Sequence, residues 1–252
     1  VQRALSNLFY LCVVSNLTKA QIKHIQAFAI KKYRDEQHCF VAEGLKNITD
    51  IIKNGLELVQ VYVTEPLLLP KEIIIQVFEM EKISMLHNAS NCIAIFKKPI
   101  VSQLNLINKI SLIIDGVQDP GNLGTIIRTA HWFGISNIFC SMDSADAYAP
   151  KVVQATMGSI GAIPIIRCNL EELIAANKNI PSYAATLDGQ YMYRMPKAKE
   201  AFIVVGKEGE GISKSIQDIC TNKIKIEGIG SAESLNVAVA TGIICHYFCI
   251  NN

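Results

Sequence analysis

The chain has 252 residues, half of them apolar, which is enough for one large domain or for a small domain followed by a medium one. Lys and Arg exceed Asp and Glu by only 24 to 22, so the global charge selects neither nucleic acid, membrane nor metabolite as partner, and any basic footprint has to be local. Eight scattered cysteines without a CxxC pair exclude a disulfide framework and a zinc module, and no apolar run approaches the roughly 20 residues that span a bilayer.

Arg3 followed by the apolar run 8–14 has the outline of a short signal sequence without a small-residue cleavage site, and residues 1–15 read as an extension or remnant ahead of the first domain. Thr18-Lys-Ala-Gln21 has the form of a capping box and opens a helix with Ile22, Ile25 and Ala29 on one face. The opposite face is basic. Lys19, Lys23, Lys31, Lys32 and Arg34 form a candidate contact for an RNA backbone, set against the default of a solvated helix face, and Lys46 and Lys53 follow. Further elements are a strand at 39–42, a helix at 45–53, a strand at 59–64, a helix at 71–80 and a strand at 92–96. This unit, 16–98, is too small for a nucleotide-binding sheet with crossovers on both faces and suits an accessory RNA-binding module.

Lys97, Lys98 and Pro99 mark a change, and 99–109 reads as a linker. Strands and helices then alternate over 110–252. Strands are expected at 111–115, 137–141, 164–167, 183–187, 201–206 and 223–226, and helices at 123–133, 151–157, 170–177, 213–219 and 235–248. Apolar strands such as Leu112-Ile-Ile114 and Phe202-Ile-Val-Val205 fit an α/β fold with a mostly parallel sheet covered on both faces. Cys245, His246 and Cys249 share the last helix, but their apolar surroundings favour core packing, and no metal centre is expected.

In such a fold the ligand lies at the carboxyl ends of the strands, which directs attention to three loops. The first runs from Asp115 through a Gly/Pro-rich turn to Asn122, a candidate helix cap, and on to Arg128. The second is Gly206-Lys-Glu-Gly-Glu-Gly211, which lacks the Lys-Ser/Thr of a P-loop and is not the first-strand GxGxxG, so a phosphate-rich cofactor is disfavoured. The third carries Ile226 to Ser231 and delivers Ser234-Leu-Asn236 to the last helix. Taken singly, each is explicable as a cap or a tight turn.

Taken in order, Asn122-Leu-Gly-Thr-Ile-Ile-Arg128, Gly206-Lys-Glu-Gly-Glu-Gly211 and Ile226-Glu-Gly-Ile-Gly-Ser-Ala-Glu-Ser-Leu-Asn-Val-Ala-Val-Ala240 resemble the SpoU/TrmH branch of the SPOUT methyltransferases. Phe40-Val-Ala-Glu-Gly44 and the preceding basic helix resemble the ribosomal-protein-like amino-terminal domain of the large-subunit rRNA members. The resemblance implies a trefoil-knotted α/β domain, a homodimer, and S-adenosylmethionine-dependent methylation of a ribose 2′-hydroxyl in RNA, with ribosomal RNA preferred. By the same resemblance Gly206, Ile226 and Leu235 meet the cofactor through main-chain groups with Ala185 and Thr186 nearby, and Asn122, Arg128, Glu208, Ser234 and Asn236 line the reaction site. Lys207 departs from the small or amide residue expected at its position. Rival readings are methylation of tRNA, methylation of a base nitrogen, and a non-catalytic RNA-binding protein that has kept the fold. The scattered cysteines, for their part, read as buried thiols in a reducing cytoplasm.

Overall fold

A computed structural model describes residues 15–101 and 104–250; the signal-like stretch and the extension lie, apart from Ser15, outside the described residues. The first part is built on a four-stranded sheet. Thr18 caps α1 (Lys19–Ala27) through the reciprocal box with Gln21, α2 (Lys31–Gln37) ends on left-handed His38, and β1 (Cys39–Glu43), α3 (Leu45–Lys53), β2 (Leu58–Val63), β3 (Glu72–Ile74), α4 (Val77–Ile83) and β4 (Cys92–Lys97) follow. The strand order is β1-β4-β2-β3. Two expectations fail here. Ala29 lies beyond the end of α1 and is exposed, while Phe28 takes the buried place beside Ile25. The helix expected at 71–80 is instead β3 followed by α4, because the β-branched run Ile73-Ile-Ile75 pairs in parallel with β2 and Gln76 restarts the chain as a capping box with Glu79.

The second part has six strands, β5 (Ile110–Asp115), β6 (Asn137–Cys140), β7 (Ile165–Arg167), β8 (Ser182–Tyr191), β9 (Ala201–Gly206) and β10 (Asn222–Lys225), in the order β10-β8-β9-β5-β6-β7 and all parallel. The helices are α5 (Pro120–Trp132), α6 (Pro150–Thr156), α7 (Leu170–Ala176), α8 (Lys214–Ile219) and α9 (Val237–Cys249). Side chains alternate between two cores. Leu112, Ile114, Ile203 and Val205 face one cluster that includes residues of α5, α6 and α9; Ile113, Phe202 and Val204 face another with residues of α7 and α8. The chain leaves β5 for β6 and β7 on one side and returns for β8, β9 and β10 on the other, so the reversal falls at the β5/β9 pair.

The two sheets share the first of these cores. Phe40, Ala42, Val61, Val63, Ala94 and Phe96, from one face of the small sheet, belong to the same buried cluster as Leu112, Leu123 and Val153. Gly158 and Gly161 allow this approach: a Cβ would lie 2.5 Å from the Asp50 Cβ at the first and 2.5 Å from a Leu56 methyl at the second. Phe40 packs on Tyr148 with ring centroids 5.2 Å apart, and Asn54 Nδ2 donates to the Gly158 carbonyl at 2.9 Å.

This contact removes one residue from the expected RNA face. Arg34 is buried, donating from Nη2 to Asp146 Oδ2 at 2.5 Å and from Nη1 to the carbonyls of Phe28 and Ala29 at 2.6 and 2.9 Å. Its guanidinium is spent inside the protein and does not reach a ligand. Lys31 and Lys32 are exposed but ion-paired to Asp35 and Glu36, which leaves Lys19 and Lys23 exposed and without a carboxylate partner among the described residues.

Candidate active site

The three loops singled out above meet at the β5/β9 reversal, where an open parallel sheet offers its crevice. The first is set by Asp119, which accepts from the Asn122 amide at 2.7 Å and caps α5 with Pro120 in the first turn. Asp119 is therefore the cap, not Asn122, and the Asp-Pro pair was the signal that identifies it. Relieved of capping, the Asn122 side chain projects toward the second loop. That loop closes on itself through Lys207 N–H to Gly211 O at 3.2 Å and Gly211 N–H to Lys207 O at 3.0 Å, with Gly209 and Gly211 at φ of 80° and 73°. A Cβ on Gly206 would stand 2.1 Å from the Gly211 carbonyl carbon, so only glycine permits the fold-back. Lys207 turns to Glu210 in a 2.6 Å ion pair, which accounts for its tolerance at that position. Buried Asp115, at the end of β5, accepts from the Ser213 amide at 2.7 Å and ties the first loop to the second; the sequence reading missed this role.

The third loop brings Asn236 to the amino terminus of α9. Its Oδ1 accepts from the amides of Ala238 and Val239 at 2.9 and 3.4 Å, which fixes the amide so that Nδ2 faces the other loops. Nδ2 donates to Asn122 Oδ1 at 3.0 Å and to Glu208 Oε1 at 2.8 Å, and Asn122 Nδ2 donates to the same carboxylate oxygen at 2.6 Å. Three expected site residues from three loops thus form one closed triangle. Arg128, a turn and a half farther along α5, is exposed and has no hydrogen-bond or ion-pair partner among the described residues. Ser234 is exposed in the same loop as Asn236 but outside the triangle.

The residues expected at a cofactor lie beside it on neighbouring strands. Ala184 is in register with Val204 of β9 and Lys223 of β10, so Ala185 and Thr186, Gly206 and Ile226 emerge at the same end of the sheet. Ala185 and Ile226 are half-buried against the core, Leu235 is exposed, and the backbone at Gly228 and Gly230 faces open space. The Thr186 hydroxyl is buried and lies beside Asp188, whose carboxyl it helps to hold below its ordinary value. A buried hydroxyl, open main chain and an apolar floor suit a purine nucleoside carrying an amino-acid tail. Among the described residues no three His, Cys, Asp or Glu side chains gather as a metal would require, and no helix is long and apolar enough to cross a membrane.

Fold and site together define an α/β transferase of the parallel, switch-point type with its chemistry on three loops. The chain belongs to the SpoU rRNA methylase family, whose model matches residues 109–246, and residues 19–95 match the MRM3-like substrate binding domain. It is 27% identical over 244 residues, 93% of this chain and 98% of the other, to the 23S rRNA (guanosine(2553)-2'-O)-methyltransferase RlmP of Bacillus subtilis. A putative RNA methyltransferase of the TrmH family from Porphyromonas gingivalis superposes with a TM-score of 0.83 at 33% identity, covering 94% of this chain and 99% of that one. An AdoMet-bound rRNA methyltransferase from Sinorhizobium meliloti does so at 0.79 and 30%, covering 92% and 96%.

Proposed function

We propose that the protein transfers the methyl group of S-adenosylmethionine to a ribose 2′-hydroxyl of RNA, with ribosomal RNA as the substrate. The observation that carries this reading is the Asn122, Glu208 and Asn236 triangle, set at the sheet reversal next to the strand ends that would hold the cofactor. Bound S-adenosylmethionine supplies an electrophilic methyl carbon, so the protein has to align an oxygen with it and let one proton leave. Gly206, Ile226 and Leu235, with Ala185 and Thr186, are the residues for holding it. The triangle fixes the loops that face the ribose. Arg128, uncommitted among the described residues, suits a bidentate grip on the substrate phosphate better than proton abstraction, because a guanidinium gives up its proton only above about pH 12.

Residues 16–98 would select the RNA and 110–252 carry out the transfer, joined through 99–109. The relative from Bacillus subtilis, named for ribose methylation of 23S rRNA and matched over both parts, favours ribosomal over transfer RNA. A homodimer fits the exposed apolar residues Trp132 on α5 and Leu235 and Val239 at the start of α9. Work in a reducing cytoplasm fits the free thiols, of which burial pushes Cys92 up to about 11 and Cys140 up to about 12. The test is to incubate the purified protein with ribosomal RNA and labelled S-adenosylmethionine and to digest the product. Label in a 2′-O-methyl nucleoside and in an alkali-resistant dinucleotide is expected. Label on a base, or none despite RNA binding, would sink the reading.

A further inference from the structure

The catalytic part carries a second surface whose chemistry the three loops do not use. Tyr191, at the end of β8, lies opposite Lys225 at the end of β10, and Ile226 of the cofactor segment follows directly. Two cations sit on the Tyr191 ring: Lys225 Nζ is 4.7 Å and Arg194 Cζ 5.1 Å from its centroid. After a 3-10 turn at Met192–Arg194 the chain runs alongside α9, where Lys197 Nζ is 5.3 Å from the centroid of Tyr247 and Tyr193 meets the same ring edge-on at 5.3 Å. Tyr247 is anchored by donating its hydroxyl to the Met195 carbonyl at 2.6 Å, and Lys197 donates to the Ile250 carbonyl at 2.7 Å.

Among the described residues none of Lys225, Arg194 and Lys197 has a carboxylate partner, whereas eight other lysines do; the nearby Asp188 is taken by Lys223 at 3.5 Å. Here they are held on aromatic faces, which restrains their side chains and keeps their charge available. Tyr193, edge-on to Tyr247, is still 61% exposed. Cations alternating with aromatic rings are what single-stranded nucleic acid requires, phosphates taking the charges and bases stacking on the rings.

We propose that Tyr191, Tyr193, Arg194, Lys197 and Lys225 form a track for the single-stranded RNA that flanks the target nucleotide. The track begins one residue from the cofactor segment and leads away from it along the α9 side. This rests on the methyltransferase reading, and it gives the transferase part its own hold on RNA, separate from that of residues 16–98. The cations act before chemistry, so their loss weakens RNA binding and leaves cofactor binding intact.

The test uses the full chain and a short fluorescein-labelled single-stranded RNA of mixed sequence, followed by anisotropy across a salt series. In R194A/K225A the plot of log affinity against log salt is expected to be shallower by about 1.4, at about 0.7 per cation on a single strand. K178A/K214A, which removes two charges elsewhere, should keep the wild-type affinity and slope. Tyr193→Ala is expected to lose roughly tenfold in affinity and Tyr193→Phe to keep it, since stacking needs the ring and not the hydroxyl. S-adenosylmethionine affinity, measured by calorimetry, should be unchanged in all of them. An unaltered slope in R194A/K225A would overturn the track, as would equal losses in the two double variants or a loss in Tyr193→Phe as large as that in Tyr193→Ala. Wild-type protein that binds RNA and transfers methyl groups normally keeps the parent reading intact in either case; wild-type protein that binds no RNA overturns both.

Discussion

Asn236 is asked to do two things with one amide: its oxygen caps α9 and its nitrogen holds Glu208 and Asn122. The two tasks separate by substitution. Asn236→Ala loses both and is expected to cost about 1 kcal/mol of stability through the cap as well as activity. Asn236→Asp keeps a capping oxygen but turns a carboxylate toward Glu208, so its urea midpoint should remain near that of wild type while methyl transfer falls by at least an order of magnitude. Equal activity in the Asp variant would show that the triangle does not matter for catalysis. Arg128 is different, because it has no partner to lose among the described residues. Arg128→Ala should abolish transfer at unchanged unfolding midpoint and unchanged S-adenosylmethionine affinity; weakened cofactor binding would move it out of the substrate role. The motif residues were legible in the sequence, but their order along three loops carried the reading, and the hydrogen bonds that join Asn122, Glu208 and Asn236 across 114 positions have no local signature. Asp115 and the Tyr191 cluster went unread for the same reason, since both draw their meaning from neighbours on other strands.

At the scale of elements, the apolar and amphipathic patterns placed nearly every helix and strand of the second part, because the central strands β5 and β9 are mostly apolar and the longer helices α5 and α9 each bury one side. The first part was harder. Residues 71–80 hold enough helix formers to suggest one helix, yet Glu72–Ile74 finds an open edge of β2 and pairs there, a tertiary contact that outweighs propensity. Arg34 was misread because a basic residue among lysines on a helix looks solvated until its partner, 112 positions away, is known. Arg34→Ala strips a buried pair, leaving Asp146 and two carbonyls without their donor, and should cost about 3 to 5 kcal/mol in urea unfolding. A large loss of RNA affinity with no loss of stability would restore it to the RNA face. Nearby, burial works against ionisation of Asp35, but hydrogen bonds from Lys31 and Lys98 outweigh it and hold the carboxyl near 2, below its ordinary 3.8. A depressed folded-state value means that this stabilisation is present above pH 3.8 and is lost as pH falls toward 2. Asp35→Asn should accordingly flatten the acid limb of the stability curve over that window and lower the plateau slightly above it, the effect being small because the pair is half-exposed.

For the whole molecule, a common core joins the two sheets, so the part matched to a substrate-binding domain is held against the transferase part by packed side chains as well as by the connecting segment. What the single chain leaves open is the outer side of α5 and α9. These helices pack on each other, and Trp132 is 84% exposed while Val239 and Leu235 are about half-exposed. Burying an indole typically gains more than any aliphatic side chain, and one left in water on a helix that also carries Arg128 is expected to be covered in the working assembly. If a second copy covers it, each active site would be completed near the seam. Trp132 is the chain's only tryptophan, so its emission reports on that one surface. Diluting the protein should shift the emission to longer wavelength in step with the change from dimer to monomer in sedimentation equilibrium. Trp132→Glu, which places a charge on the same face without touching the core, should sediment as a monomer with a near-normal circular dichroism spectrum and markedly reduced methyl transfer. A Trp132→Glu protein that remains dimeric would put the seam elsewhere, and a monomeric wild type with full activity would show that the site is complete within one chain.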